Sequence, residues 1–303
     1  MQRKDRIDTF GALALIGFSA FLGFNQVIIK VVNEGLQPVF WAGLRSLGAV
    51  PWIWLLMRLR GRRPDLRRET WGGGLLLGLA FSFEFVFLFL ALDLTTVTRS
   101  SVIFYSMPVW FAIMANFLLP GERLTRNRLA GLLLAFAGVT WAIVNRGGGA
   151  GEASLAGDLC ALGGAISWAA IALIARGTKI AGVDAQTQLL WQVGISAPIL
   201  LAISPLFGEF LRDPQPIHWW GLGVQIVFVV SVGFTVWLWL LSVYPPASVA
   251  AFSFLTPIFG VSMGWLILGE DIQPGLIGAL ALVIGGLVLI NRPRRHQVPQ
   301  KVR

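Results

Sequence analysis

The sequence is poor in the side chains on which most soluble enzymes depend. One cysteine, Cys160, stands in 303 residues, so no internal disulfide can form. With two histidines and that one thiol, no zinc or haem spacing exists. No G-x-x-x-x-G-K loop is present, and no stretch is left over for a soluble ATPase domain. Neither cofactor nor metal is expected. Charged residues make up only 13%, about half the share usual in a soluble domain. Hydrophobic residues make up 56%, more than a soluble core of this size can hide.

What remains is long apolar runs. A helix needs about 20 apolar residues to cross a bilayer. Ten segments qualify: 9–32, 37–58, 71–91, 97–119, 127–145, 155–176, 185–206, 218–241, 247–268 and 273–291. They are continuous, unlike the short alternating strands of a membrane β-barrel. The separators GRRPDLRRE, PGERLTRN and RGGGAGEAS hold turn or charged residues. RKDR before the first segment gives it the look of a secretory signal, but the run is too long and lacks a small-x-small cleavage site.

The net charge of +9 sits in the separators. With ten spans, 19 Lys and Arg fall on one side: Arg3, Lys4 and Arg6, six from Arg58 to Arg68, Arg123, Arg126, Arg128, Arg176, Lys179 and five from Arg292 to Arg303. Four fall on the other: Lys30, Arg99, Arg146 and Arg212. Positive residues stay cytoplasmic, so both termini are expected inside. The basic charge is then a topology signal, and nucleic acid is not an expected partner.

The two halves are alike. Pro108 matches Pro257, Glu122 matches Glu270 after a glycine in each case, and Gly131 and Gly138 match Gly278 and Gly285. Gly11 and Gly17 match Gly157 and Gly163. Five segments per half is odd, so the second copy enters the membrane from the opposite face. The expected organisation is a five-helix repeat over 1–146, a Gly-rich linker over 147–154, and an inverted repeat with a basic tail over 155–303. Such repeats recur in secondary transporters that work by alternating access.

GALALIGFSAFLGFNQVIIK, FWAGLRSLGAV, the paired Gly-Glu turns and DLCALGGAISWAAIALIAR resemble the drug/metabolite transporter superfamily, in its EamA-like branch. Within that branch the aromatic richness resembles bacterial aromatic amino-acid exporters of the YddG type. The resemblance implies an all-α integral membrane protein of ten transmembrane helices around a central cavity, in the bacterial inner membrane. Segments 1–4 and 6–9 would line the cavity, and segments 5 and 10 would brace it. Small-xxx-small pairs agree with bracing: Gly131 and Ala135 on segment 5, Ala281 and Gly285 on segment 10.

Glu84 interrupts FSFEFVFLFLAL, and Arg45 lies at similar depth on the preceding segment. Unpaired charge in hydrocarbon is costly, so the two are expected to form an intramembrane pair. That pair is either a helix clamp or a substrate or proton site. Lys30 is expected to snorkel, and Glu122 and Glu270 to mark the starts of segments 5 and 10.

The candidate cavity surface is mixed. Ser101, Tyr105 and Pro108 share one face of segment 4, and Phe254 and Pro257 are their repeat partners on segment 9. Asn25, Trp168, Gln188, Gln192 and Trp237 complete the set. Pro108 and Pro257 are hinge candidates, since each removes a backbone donor in mid-span. Trp52, Trp219 and Trp220 near segment ends fit an interfacial belt.

Amides, hydroxyls and aromatic rings suit a small amphipathic substrate, an aromatic or other amino acid above all. A polyphosphate would find only one buried arginine. Other metabolites or cationic drugs are the alternative cargo. An intramembrane enzyme is the remote alternative, since no span holds a central histidine and Asp93 and Asp158 sit near ends.

Overall fold

The structure is a computed structural model that describes residues 7–119, 125–145, 154–233, 236, 239–240, 243–244, 252 and 254–290. Helices α1 (Thr9–Gly35), α2 (Pro38–Leu59) and α3 (Trp71–Leu94) are followed by α4 (Val97–Phe104) and α5 (Met107–Leu118). Then come α6 (Arg126–Val144), α7 (Leu155–Gly177) and α8 (Ala185–Ile203). Helix α9 (Pro216–Val224) widens into a π-helix over Gln225–Gly233. Helices α10 (Leu255–Leu268) and α11 (Pro274–Ile290) complete the described chain. Among the described residues β pairing is limited to one bridge, Leu36 to Leu211.

Among the described residues, seven helical stretches are long and apolar enough to cross a membrane: Thr9–Gly35, Pro38–Leu59, Arg68–Leu94, Val97–Leu118, Arg126–Val144, Leu155–Gly177 and Ala185–Phe207. Three shorter apolar helices follow, Pro216–Val230, Leu255–Leu268 and Pro274–Ile290. Phe117, Leu133, Phe136 and Leu266 face outward, each more than half exposed, as suits a surface solvated by lipid. The protein is therefore a multi-pass membrane protein.

Helix starts follow local side-chain chemistry. Asp8 accepts a hydrogen bond from the Gly11 amide at 2.8 Å, and Ser154 does the same for Gly157 at 2.9 Å. Asp184 accepts from the Gln186 and Thr187 amides, both at 3.1 Å. Each satisfies a donor that the first helical turn leaves free.

The stretch 97–119, expected as one run, is broken. Helix α4 stops at Phe104, Tyr105 and Ser106 form a turn, and Pro108 is the second residue of α5. A proline ring conflicts with the carbonyl four residues back and offers it no donor. Ser106 occupies the bend by donating its hydroxyl to the Ile103 carbonyl at 2.6 Å. Pro257 lies in the first turn of α10, where a missing amide is harmless.

Helices α6 and α11 pack face to face. A side chain at Gly131 would meet the Gly286 carbonyl at 2.6 Å, so only glycine permits this approach. Gly131, Ala135 and Gly138 supply the α6 side, as the small-residue pattern predicted in part. On α11 the contact runs through Ala279, Val283 and Gly286. Ala281 is exposed instead. Gly285 of the expected pair does face α6, where an added side chain would meet Leu134 at 3.2 Å, so the expectation holds at Gly285 and fails at Ala281; a helix hydrophobic all round does not reveal which stripe meets a neighbour.

Corresponding positions of the two halves make corresponding contacts. Gly157 at the start of α7 lies against Leu94 and Thr95, just before α4. Gly11 at the start of α1 lies against Tyr244, which the matched prolines pair with Thr95. Ser154 donates to the Leu94 carbonyl at 2.8 Å, and Tyr244 donates to Asp8 at 2.8 Å.

Candidate functional site

A line of polar groups crosses the bundle where α1 meets α4 and the π-helix. Ser101 donates to Gln26 Oε1 at 2.9 Å. Tyr105, at the α4–α5 break, donates its hydroxyl to the Leu22 carbonyl at 3.0 Å. Asn25 accepts from Gln225 Nε2 at 2.6 Å. Gln26 Nε2 and Gln225 Oε1 are buried without a hydrogen-bond partner. An orphaned amide atom in a buried site is a place for a ligand or water to bind. Gln225 lies where the helix widens, a distortion often found at functional sites.

Aromatic rings bound this line. Trp168 on α7 stacks on Phe104 with centroids 5.1 Å apart and planes 17° apart. Tyr105 meets Trp168 edge-on at 6.0 Å. Phe254 is buried at the start of α10, in the same apolar cluster as Val102, Ile103 and Val109. Ser101, Tyr105, Trp168 and Asn25 are thus brought close together.

Other expected members are placed elsewhere. Gln188 donates to the Ile180 and Val183 carbonyls at 3.0 and 2.9 Å, fastening the α7–α8 connection. That use of its amide removes it from the cavity surface. Gln192 is half-buried one turn further along α8. Trp237 lies outside the described residues, as does Glu122.

Arg45 and Glu84 are both buried, 6% and 7% exposed, and are close enough to interact electrostatically. The expected direct pair is not what forms. No hydrogen bond or ion pair joins them among the described residues, and Arg45 Nε is without a partner. The Arg45 guanidinium carbon lies 4.4 Å from the centroid of Phe85, the residue next to Glu84. A ring face attracts a cation, and here it competes with the carboxylate for the guanidinium.

The hydrogen-bonded charges lie elsewhere. Arg99, counted with the cations on the side opposite the termini, is buried in α4. Its Nε and Nη2 donate to the Asp158 carboxylate at 3.1 and 2.6 Å, and Nη2 also donates to the Ala142 carbonyl. Thr95 adds a hydrogen bond to Asp158 at 3.1 Å. One fork–carboxylate contact thereby ties α4 to α6 and α7.

Glu270 does start a helix, but α4 and not segment 10. Gly269 has φ +68, the left-handed conformation that ends α10. The turn aims Glu270 at α4, where its two oxygens accept from the Val97 and Thr98 amides at 2.6 and 2.7 Å. Lys30 donates to the Thr95 carbonyl at 3.0 Å and so fastens α1 to the end of α3 in place of snorkelling.

A groove of about 600 Å³ opens between α2 and α8. Val50, Pro51, Trp54, Leu190, Trp191 and Ile195 line it. Its wall is almost wholly apolar, which suits a lipid tail better than a polar substrate.

A membrane bundle of repeated helix groups, with hydrogen-bonding side chains and aromatic rings inside, has the construction of a small-molecule transporter. The family profile described as the EamA-like transporter family matches residues 9–144 and again 155–292. The chain belongs to that family, within the drug/metabolite transporter superfamily. It is 31% identical over 303 residues to the "Probable amino-acid metabolite efflux pump" of Escherichia coli (strain K12), covering 94% of each chain. It is 25% identical over 285 residues to the "Uncharacterized transporter YoaV" of Bacillus subtilis (strain 168), covering 90% of this chain and 94% of that one. A solved crystal structure aligns with a TM-score of 0.63 at 21% identity, covering 91% of this chain and 97% of the other, which supports the fold alone.

Proposed function

We propose that this transporter is a secondary exporter of amino acids and similar small amphipathic metabolites in a bacterial inner membrane. It has ten membrane-spanning segments, arranged as two inverted five-helix repeats over 1–146 and 155–303 with 147–154 between them. Both termini are cytoplasmic. Alternate opening of the repeats exposes the interior to either side, without ATP.

The observation that carries this reading is the polar line of Gln26, Ser101, Tyr105, Asn25 and Gln225 beside the Trp168–Phe104 stack. In helices this apolar, such groups need partners. An aromatic amino acid offers a ring for the stack and polar atoms for the orphaned amides. The matching contacts at Gly11 and Gly157 support exchange between two similar states. The name of the Escherichia coli relative supports the cargo class.

Purified protein in liposomes loaded with radiolabelled phenylalanine tests the reading. Efflux above that of empty liposomes is expected, and repeating the assay with an imposed pH gradient separates proton-coupled from facilitative export. Liposomes that leak no faster than empty ones for every amino acid tried would falsify it.

A further inference from the structure

We propose that the groove between α2 and α8 binds one anionic phospholipid, with an acyl chain in the groove and the phosphate on the arginines at its mouth. The proposal needs only that the protein spans a membrane, and it is independent of the cargo.

The groove exists because two helices part. Towards one end α2 and α8 touch: Ser196 donates its hydroxyl to Ser46 at 3.0 Å, and a side chain added at Gly43 would meet Leu201 at 2.8 Å. Further along, at Val50 and Gly194, they have separated, and a side chain added at Gly194 would meet nothing within 4 Å. Helix α3 lies behind. Its Gly74 and Gly78 carry no side chains, and Trp191 and Ile195 of α8 press into the places left there. Those two residues therefore lean on α3 and leave the space beside α2 open. The result, about 600 Å³, lies within the roughly 300–1,000 Å³ usual for a ligand site.

The mouth is strongly basic. Residues 58–69 hold six arginines and two carboxylates. The Arg58 guanidinium carbon lies 4.5 Å from the ring centroid of Trp54, so one cation is seated on the groove wall itself. Leu66 brings the α2–α3 connection to the groove, and the Asp65 amide donates to Thr187 at 3.3 Å, which fastens that connection to the start of α8. The acids beside the mouth are engaged: Asp65 with Arg67 at 2.8 Å, and Asp184 with the Gln186 and Thr187 amides. Arg60, Arg62, Arg63 and Arg68 stand exposed, and Glu69 is the one further acid of the segment.

An apolar crevice that ends in arginines where a helix leaves the bilayer has the two-part chemistry of an anionic lipid. Hydrocarbon fills the crevice, and guanidinium forks match phosphate oxygens. A zwitterionic lipid fits the crevice, but its own ammonium meets the arginines. A second copy of this chain fits poorly, because a two-fold contact on this face would set the arginines of one copy against those of the other.

The test is native mass spectrometry and thermal melting of the purified full chain in detergent, with phosphatidylglycerol, phosphatidylcholine or glycerol 3-phosphate added. Phosphatidylglycerol is expected to be retained about tenfold better than phosphatidylcholine and to raise the melting temperature. Glycerol 3-phosphate, a head without tails, should leave it unchanged. Gly194→Leu fills the groove from a position with free space around it. It should cut retention of either lipid about tenfold without lowering the melting temperature of the lipid-free protein. Arg58→Gln should cut phosphatidylglycerol retention about threefold and spare phosphatidylcholine. Arg126→Gln, at an exposed arginine that starts α6, should behave as the parent.

Equal retention of the two lipids by the parent overturns the proposal, and that comparison needs no variant to fold. A Gly194→Leu protein that holds phosphatidylglycerol as the parent does removes the lipid from the groove. Equal losses in Arg58→Gln and Arg126→Gln reduce the attraction to diffuse surface charge and overturn the site. Stabilisation by glycerol 3-phosphate to the same extent makes a free phosphate the ligand and overturns the lipid.

Discussion

Glu270 and Val97 are 173 positions apart in the chain, and the carboxylate of one accepts the backbone amide of the other at 2.6 Å. This contact holds the end of α10 against the start of α4. Glu270→Ala is expected to destabilise the protein by about 1–2 kcal/mol through loss of the cap. Glu270→Gln, which keeps one acceptor, should fall between it and the parent. Thermal melting in detergent measures both. If Glu270→Ala melts with the parent, the cap has no energetic weight.

The Arg99–Asp158 contact should behave as a buried ion pair. Removing one partner, as in Arg99→Leu or Asp158→Leu, leaves an uncompensated charge and is expected to cost about 3–5 kcal/mol. Replacing both with leucine should cost clearly less than either alone. A double-mutant cycle reads the difference, and additive losses would contradict it.

Gly286→Val tests the α6–α11 contact. The new side chain would collide with the Gly131 carbonyl and Ala135, at a cost of about 1–3 kcal/mol. Ala281→Val, on the exposed face of the same helix, should be silent. Equal loss of folded yield in the two would place the helix contact elsewhere.

Tyr105 and Trp168 separate anchoring from recognition. Tyr105→Phe removes the hydrogen bond to the Leu22 carbonyl, for about 1 kcal/mol of stability, and keeps the ring. Trp168→Ala should raise the half-saturating concentration for phenylalanine about tenfold, as loss of a stacked ring does, while alanine transport changes little. Export of phenylalanine unaffected by Trp168→Ala would remove the stack from the site.

The membrane class and the likeness of the halves could be read along the chain, whereas of the ten expected spans seven are helices of membrane length among the described residues and three are shorter. The first two depend on local quantities: run length, charge in the separators, and the interval between a proline and a Gly-Glu pair. The face that α11 presents to α6 could not be read in full, because Ala281, Gly285 and Gly286 are all small and the helix is apolar on every side. The roles of Gln188 and Lys30 were equally hidden. An amide or ammonium in a membrane takes whichever carbonyl is nearest, and nearness is set by other helices. The Pro108 break was visible as a proline, but the turn at Tyr105 that it opens was not.

Sequence alone determined that this protein lives in a bilayer and that its halves are alike, since long continuous apolar runs read as spanning helices and matched residues recur at matched intervals. Only the tertiary structure decided which charges meet. Arg99 finds Asp158, Glu270 finds the start of α4, and Arg45 rests on Phe85 and not on Glu84. Electrostatic partners are chosen by distance in space, and distance in space is settled by how the helices pack.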